Sequence, residues 1–326
     1  MQNVSDEAFL KSRLAVRNNK GSEATGPGLE PEETGKSGKR TPGKLGEYAH
    51  ILMLVPVLAW VFLFLFVPLV IVLVNSFYTY TGIGVTPEIT LSNYATVLFT
   101  RQYLKLIAYT LGTSALIVLV TLIIGFPAAY YLALKVRNEN KRFLLILVLI
   151  IPFWIDFTTK LMSWFPILGT NGAVNYYLQA IGVIQQPLTS IFLSEQSAIF
   201  VMIQTYVLFM IAPILLSLAT IDVNLTKAAE TLGASAFQTF RHVILPLARP
   251  GIIIGSAFVF VSTMGDFVTP RVIGGRMETA GLVIAQQAGI LNWPLASALS
   301  VILIVITLVI VIVMFRTVKI ARMVFE

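Results

Sequence analysis

The stretch KAAETLGASAFQTFRHVILPLARPG, Lys227 to Gly251, is polar, rich in alanine and divided by a glycine. It interrupts a 326-residue chain that is 56% hydrophobic and only 12% charged, with a mean hydropathy of +0.83. Soluble domains carry about a quarter charged residues and less than half apolar ones, so the chain is a membrane protein by composition. What the polar stretch can do depends on which side of the membrane holds it.

Working outward from it, six apolar runs are each close to the roughly 20 residues that a helix needs to cross the hydrocarbon. They lie near residues 51–76, 106–134, 143–168, 196–220, 250–270 and 296–315. No short apolar run follows a basic start within the first 30 residues, so no secretory leader is expected. Lys and Arg in short loops stay on the cytoplasmic side and orient the spans. Eighteen of the 23 basic residues fall before the first span, in KVRNENKR (135–142), in the 221–250 loop or after the last span. The opposite side holds Arg101, Lys105, Arg271 and Arg276, and Lys160 falls near the outer end of a span. Six crossings with both termini in the cytoplasm satisfy the rule throughout.

Residues 1–46 are rich in Gly, Glu, Lys, Ser and Pro and read as a disordered cytoplasmic tail, with residues 47–326 forming the membrane domain. Pro56, Pro68, Pro127, Pro152, Pro166 and Pro213 lie inside spans, where they either kink helices or mark broken ones that line a pathway. Tyr78, Tyr80, Tyr176, Tyr177 and Trp293 suit interfacial anchors. The absence of cysteine excludes disulfides and thiol chemistry, and His50 and His242 have no metal-ligand spacing. No Gly-rich phosphate loop of the Walker type is present, because GIGV and VIGGR lack the following Lys-Ser/Thr.

The orientation puts residues 221–250 in the cytoplasm. Asp222 caps a first short helix, Gly233 supplies the left-handed residue that ends it, and Ser235 with Gln238 opens a second as a capping box, which Pro246 stops. Helix, glycine turn and helix is also the plan of a DNA-reading motif, and the net charge of +7 would agree. Membrane spans at both ends leave it no freedom to reach a major groove, so no nucleic-acid partner is expected. A docking element for a soluble cytoplasmic protein remains, with a partnerless surface helix as the plainer alternative.

The stretch resembles the EAA loop of permease subunits of ATP-binding-cassette importers, whose pattern is Glu-Ala-Ala, a Gly four residues later, then Leu-Pro. Ala228, Ala229, Gly233, Leu245 and Pro246 match, while Lys227 replaces the leading Glu, with Glu230 nearby. The resemblance implies that Lys227, Ala228, Ala229, Glu230, Gly233, Ala234, Phe237, Leu245 and Pro246 couple the chain to an ATPase. The ordered set LSNYATVL, GFPAAYYLA, IPFWIDFTTKLMSW, NGAVN, LFMIAPILLSLATID, GDFVTPRVIGG and NWPLASALS is similar to the first-subunit permeases of spermidine/putrescine-type importers. Lys160 stands where that group has an Arg. The implied fold is all-α with six transmembrane helices, the MetI-like type I importer permease. The implied setting is a bacterial inner membrane, with a homologous second permease, two copies of a cytoplasmic ATPase that binds the ATP, an extracytoplasmic solute-binding protein and membrane lipid as partners. The chain itself is expected to carry no cofactor, metal or enzymatic activity. Carriers of opines, other amino-acid derivatives or ferric ion share the pattern.

Asp156 lies about 20 Å into the third span and Asp266 about 24 Å into the fifth, at 1.5 Å per residue. Carboxylates in lipid are costly and usually face a bundle interior or water. Asp156 and Lys160, four residues apart, read first as a local ion pair. Asp266 in GDFVTP has no such neighbour except Arg271 near the mouth, and with Trp154 and Asp156 it is expected to line a cavity for a cationic solute. An ion-coupled carrier or channel would share the spans and carboxylates but has no use for a docking loop, and a membrane hydrolase would need a nucleophile beside a base.

Overall fold

The computed structural model describes residues 44–136, 138–188 and 193–317, and the side chains of residues 44–53, Val223, Thr226 and Glu230 lie outside the described part. Residues 1–43 of the expected tail lie outside it too. The chain divides into two compact units, Met1–Trp60 and Val61–Glu326. Of the first, the described portion is the opening of helix α1 (Lys44–Asn75).

In the second unit, a two-stranded hairpin of β1 (Thr79–Tyr80) and β2 (Val85–Thr86) precedes α2 (Ser92–Phe99) and the long α3 (Arg101–Tyr130). Then come α4 (Glu139–Trp154), the short α5 (Phe157–Ser163), α6 (Phe165–Leu168) and α7 (Ala173–Ala180), and the long α8 (Glu195–Ala219). The polar loop forms α9 (Val223–Thr231) and α10 (Ala236–Thr239). The chain finishes with α11 (Leu245–Gly265), α12 (Val268–Val272), α13 (Ala280–Gly289) and α14 (Trp293–Arg316).

Five helical runs among the described residues are long and apolar enough to cross a membrane. The expected third span at 143–168 is not a straight crossing. The chain bends by 93° between Glu139–Trp154 and Phe157–Ala180, and this pair makes the sixth crossing if counted as one broken span. The physical cause is local: Pro152 weakens the last turn of α4, and Asp156 then caps a new helix by accepting from the N–H groups of Thr158 and Thr159 at 2.9 and 3.2 Å.

The core is the trio α3, α8 and α11. Ile117 of α3, Met202, Met210, Ile214 and Leu218 of α8, and Ala248 and Val259 of α11 are buried together. Without a hydrophobic drive between helices in lipid, close approach is what holds such an interface. Glycine provides it. A Cβ on Gly251 would lie 2.5 Å from the Pro213 carbonyl oxygen and 2.8 Å from the Ile214 Cα, and one on Gly255 would meet Met210 at 3.0–3.2 Å. A second cluster joins Val97, Ile107, Phe260, Met264, Ala280 and Leu299, which seats α13 and α14 against α3 and α11.

Thr110 of α3 serves α13 directly, its hydroxyl accepting from the Ala280 N–H at 2.9 Å while donating to the Leu106 carbonyl at 2.8 Å. Such bonds are what membrane helices need where their ends meet no water. Replacing Gly251 by Val should lower thermal stability by about 1–3 kcal/mol or more through overpacking. Gly112→Ala, on the same core trio but facing open space, should leave it equal or slightly higher. A thermal melt of both variants in detergent checks this, and equal midpoints would remove the α8–α11 contact from its central place.

Candidate functional site

The polar loop folds into the elbow that its residues predict. The Asp222 carboxylate accepts from the Asn224 N–H at 2.8 Å and caps α9. The helix closes with Ala234 N–H donating to Ala229 O at 3.0 Å across Gly233, whose φ is +82°. That left-handed position is a Schellman stop and favours glycine. Ser235 and Gln238 complete a reciprocal capping box, with Gln238 N–H to Ser235 Oγ at 3.3 Å and Ser235 N–H to Gln238 Oε1 at 2.7 Å.

The expected stop at Pro246 is not observed. Helix continues from Ala236 to Gly265 through a π turn over Phe240–Ile244, in which Leu245 N–H donates to Phe240 O. The wide turn sits where a proline ring would otherwise press on the carbonyl four residues back, so it absorbs Pro246 and lets α10 run on into α11. Motion of the elbow is thereby linked to a core membrane helix by continuous backbone.

Aromatic contacts fix the elbow to the bundle. Phe240 packs edge-on against Phe126 and Tyr130 of α3, with centroids 5.7 and 6.4 Å apart. Phe126 and Tyr130, within GFPAAYYLA, gave no local sign of this role, because nothing in sequence places them beside residue 240. Beyond the anchor, the tip is open: Leu232 is 88% exposed and Phe237 68% exposed, on the two sides of Gly233. Lys227 and Ala228 are exposed, and Ala229, Ala234, Leu245 and Pro246 are half-buried. Two large apolar side chains beside small alanines, held on a capped and anchored elbow, form an exposed apolar projection. The side chain of Glu230 lies outside the described residues.

The charged residues sit at two helix breaks. Trp154, 85% exposed, and Asp156 stand together at the bend after α4. Asp156 is engaged as the α5 cap, and no ion pair with Lys160 is found among the described residues. Asp266, 6% exposed, occupies the second break, between α11 and α12. It accepts from the N–H groups of Val268 and Thr269, both at 3.0 Å, from the Thr269 hydroxyl at 2.7 Å and from the Tyr206 hydroxyl at 3.0 Å. Four donors surround the carboxylate, so it closes α12 and ties it to α8 rather than facing open space. Tyr206 and Thr269 were not legible as its partners: Thr269 has the spacing of an N-cap partner, but Tyr206 is sixty residues away. A small cluster of Leu161, Leu168, Val201 and Ile273 holds the segments after both breaks against α8.

Comparison with known proteins agrees with this architecture. Residues 122–322 match the family described as binding-protein-dependent transport system inner membrane component. The chain is 33% identical over 270 residues to the inner membrane ABC transporter permease protein YdcU of Escherichia coli, covering 78% of this chain and 85% of the relative. It is 33% identical over 266 residues to the spermidine/putrescine transport system permease protein PotB of Haemophilus influenzae, covering 81% and 92%. The fold is shared with the crystal structure of a bacterial ABC transporter involved in the import of the acidic polysaccharide alginate, with a TM-score of 0.66 at 20% identity over 87% of this chain and 98% of that one. A second structure of the bacterial alginate transporter, in complex with alginate pentasaccharide-bound periplasmic protein, gives 0.64. With a capped elbow fused to a core helix and a family match over most of the membrane region, the chain belongs to the binding-protein-dependent inner membrane components, the permeases of ATP-binding-cassette importers.

Proposed function

We propose that the chain is one half of an importer's translocation path for a small amine, in the class to which its spermidine/putrescine relatives belong. A separate cytoplasmic ATPase, present in two copies, holds the ATP and drives it, and this chain carries no cofactor. A homologous second permease and an extracytoplasmic solute-binding protein complete the assembly. The observation that carries the reading is the elbow: its exposed Leu232 and Phe237 project from a turn that continues, through the π turn, into α11. Closure of the ATPase around its nucleotide pushes this projection, and the rigid anchor of Phe240 on Phe126 and Tyr130 passes the push to α3 and α11. An apolar cavity of about 500 Å³ lined by Phe153, Phe209, Pro213, Leu216 and Phe258 leaves α4, α8 and α11 open on one side, which suits a second permease.

The two breaks form the path within this half. Trp154, Asp156 and Lys160 are the exposed or half-exposed groups available to a solute, the indole face and carboxylate suiting an ammonium. Asp266 supports the path by holding α12 in place. Both termini lie in the cytoplasm, as the distribution of basic residues favours.

Three outcomes follow. Leu232→Asp with Phe237→Asp should reduce co-purified ATPase and solute-stimulated ATP turnover by roughly tenfold or more at an unchanged thermal midpoint, and undiminished association would exclude the elbow as the coupling element. Asp266→Asn should lower thermal stability by about 1–3 kcal/mol, because an amide cannot accept from all four donors. A melt unchanged beside altered apparent affinity for putrescine would return Asp266 to direct solute contact. Because the chain has no cysteine, single introduced ones report topology: Phe237→Cys should react with an impermeant maleimide only from the cytoplasmic face, and Ile83→Cys only from the opposite one. Reversed labelling would refute the orientation.

A further inference from the structure

At the end of the bundle opposite the elbow, a cavity of about 440 Å³ lies between the first turns of α3, the start of α8, the connection from α12 to α13, and α13 itself. Its volume falls in the range of small-molecule sites, about 300–1,000 Å³. Four charged side chains line it: Lys105 from α3, Glu195 from α8, and Arg276 and Glu278 from the connection. They come from three separate parts of the chain, so the fold and not local sequence brings them to one wall. Among the described residues none of the four makes an ion pair.

Tyr109 also lines the cavity. Its hydroxyl is buried beside Glu195 and Thr113, and among the described residues none stands in full hydrogen-bond geometry to it. A buried hydroxyl without a partner costs about 1–3 kcal/mol unless a ligand or water satisfies it. Gln102, Gln286 and Gln287 add neutral donors and acceptors. Charges scattered at a membrane boundary are ordinarily just solvated. Here two of each sign line one concave wall beside the buried Tyr109 hydroxyl.

We propose that this cavity is a binding site for a small amphoteric solute, one that carries an ammonium and a carboxylate on the same molecule. The ammonium is received by Glu195 and Glu278 and the carboxylate by Lys105 and Arg276, with the Tyr109 hydroxyl behind Glu195 in the wall of the site. A pure diamine meets the two cations with nothing to offer them, and a pure diacid meets the two carboxylates in the same way. This selection by like-charge repulsion is what separates solutes of equal length. The inference rests on the importer reading, since the cavity opens on the side from which an importer takes its solute, and it replaces the simple polyamine of that reading with an amine that also bears a carboxylate.

The test uses the purified permease–ATPase complex without the solute-binding protein, and three five-carbon probes of matched length: 5-aminopentanoate, 1,5-diaminopentane and glutarate. Equilibrium binding by titration calorimetry should give a Kd for 5-aminopentanoate at least about tenfold lower than for either other probe. Arg276→Gln and Glu278→Gln, both at exposed positions that the fold does not depend on, should each weaken it by roughly tenfold. Tighter binding of the diamine, equal binding of all three, no saturation by 5-aminopentanoate up to about 10 mM, or indifference to both substitutions would each overturn the proposal. ATP turnover of the unmodified complex, stimulated by the binding protein, is measured on the same preparation. Turnover without amphoteric binding discards the site and leaves the importer standing, whereas absence of an associated ATPase discards the importer itself.

Discussion

The structure depends on the contact of α8 with α11 where Gly251 and Gly255 face Pro213, Ile214 and Met210. In lipid, apolar side chains gain nothing by leaving their surroundings, so two helices stay together only if their surfaces fit closely enough for dispersion to accumulate. Absence of a side chain at Gly251 brings the α11 backbone onto the Pro213 carbonyl. Ser217 reinforces the same line by donating to the Leu247 carbonyl at 2.9 Å. The position of α11 against α8 in turn sets where the elbow projects at one end and where Asp266 meets Tyr206 at the other.

A membrane protein that breaks its helices must satisfy the freed backbone groups with its own side chains. This chain does so with short polar caps: Asp156 for α5, Asp266 for α12, Thr279 for α13 and Asn292 for α14. Each cap turns a break into a rigid corner. The corners at Asp156 and Asp266 hold the exposed Trp154, the half-buried Lys160 and the buried Tyr206 at the breaks beside α8. Asp266 shows how a carboxylate in a membrane is made tolerable: it is desolvated, but every direction of its oxygens finds a donor.

The two ends of the core trio carry opposite chemistry. One presents an apolar tip beside alanines. The other presents a cavity whose charged lining holds two residues of each sign. α11 runs from the first end to the corner at Asp266, joining the elbow by continuous helix to the break that borders the second end. Import requires a connection of this kind between the energy source and the solute side.

Residue types and their spacing settled the membrane class, the positions of the long apolar helices and the elbow itself, since caps, a left-handed glycine and a capping box are local interactions complete within a few residues. Asp222, Gly233, Ser235 and Gln238 all do in the structure what those local rules require. The bend after Trp154 was half visible, in Pro152 and Asp156, but a run of apolar residues looks the same whether straight or broken, because hydropathy carries no direction. The passage of helix through Pro246 depended on a π turn packed against α3. The pairing of Asp266 with Tyr206, and the meeting of Lys105, Glu195, Arg276 and Glu278, join residues far apart in the chain. Only tertiary structure decides these, because they follow from which helix faces pack, and that is chosen by the fit of small residues across space rather than by any neighbour in sequence.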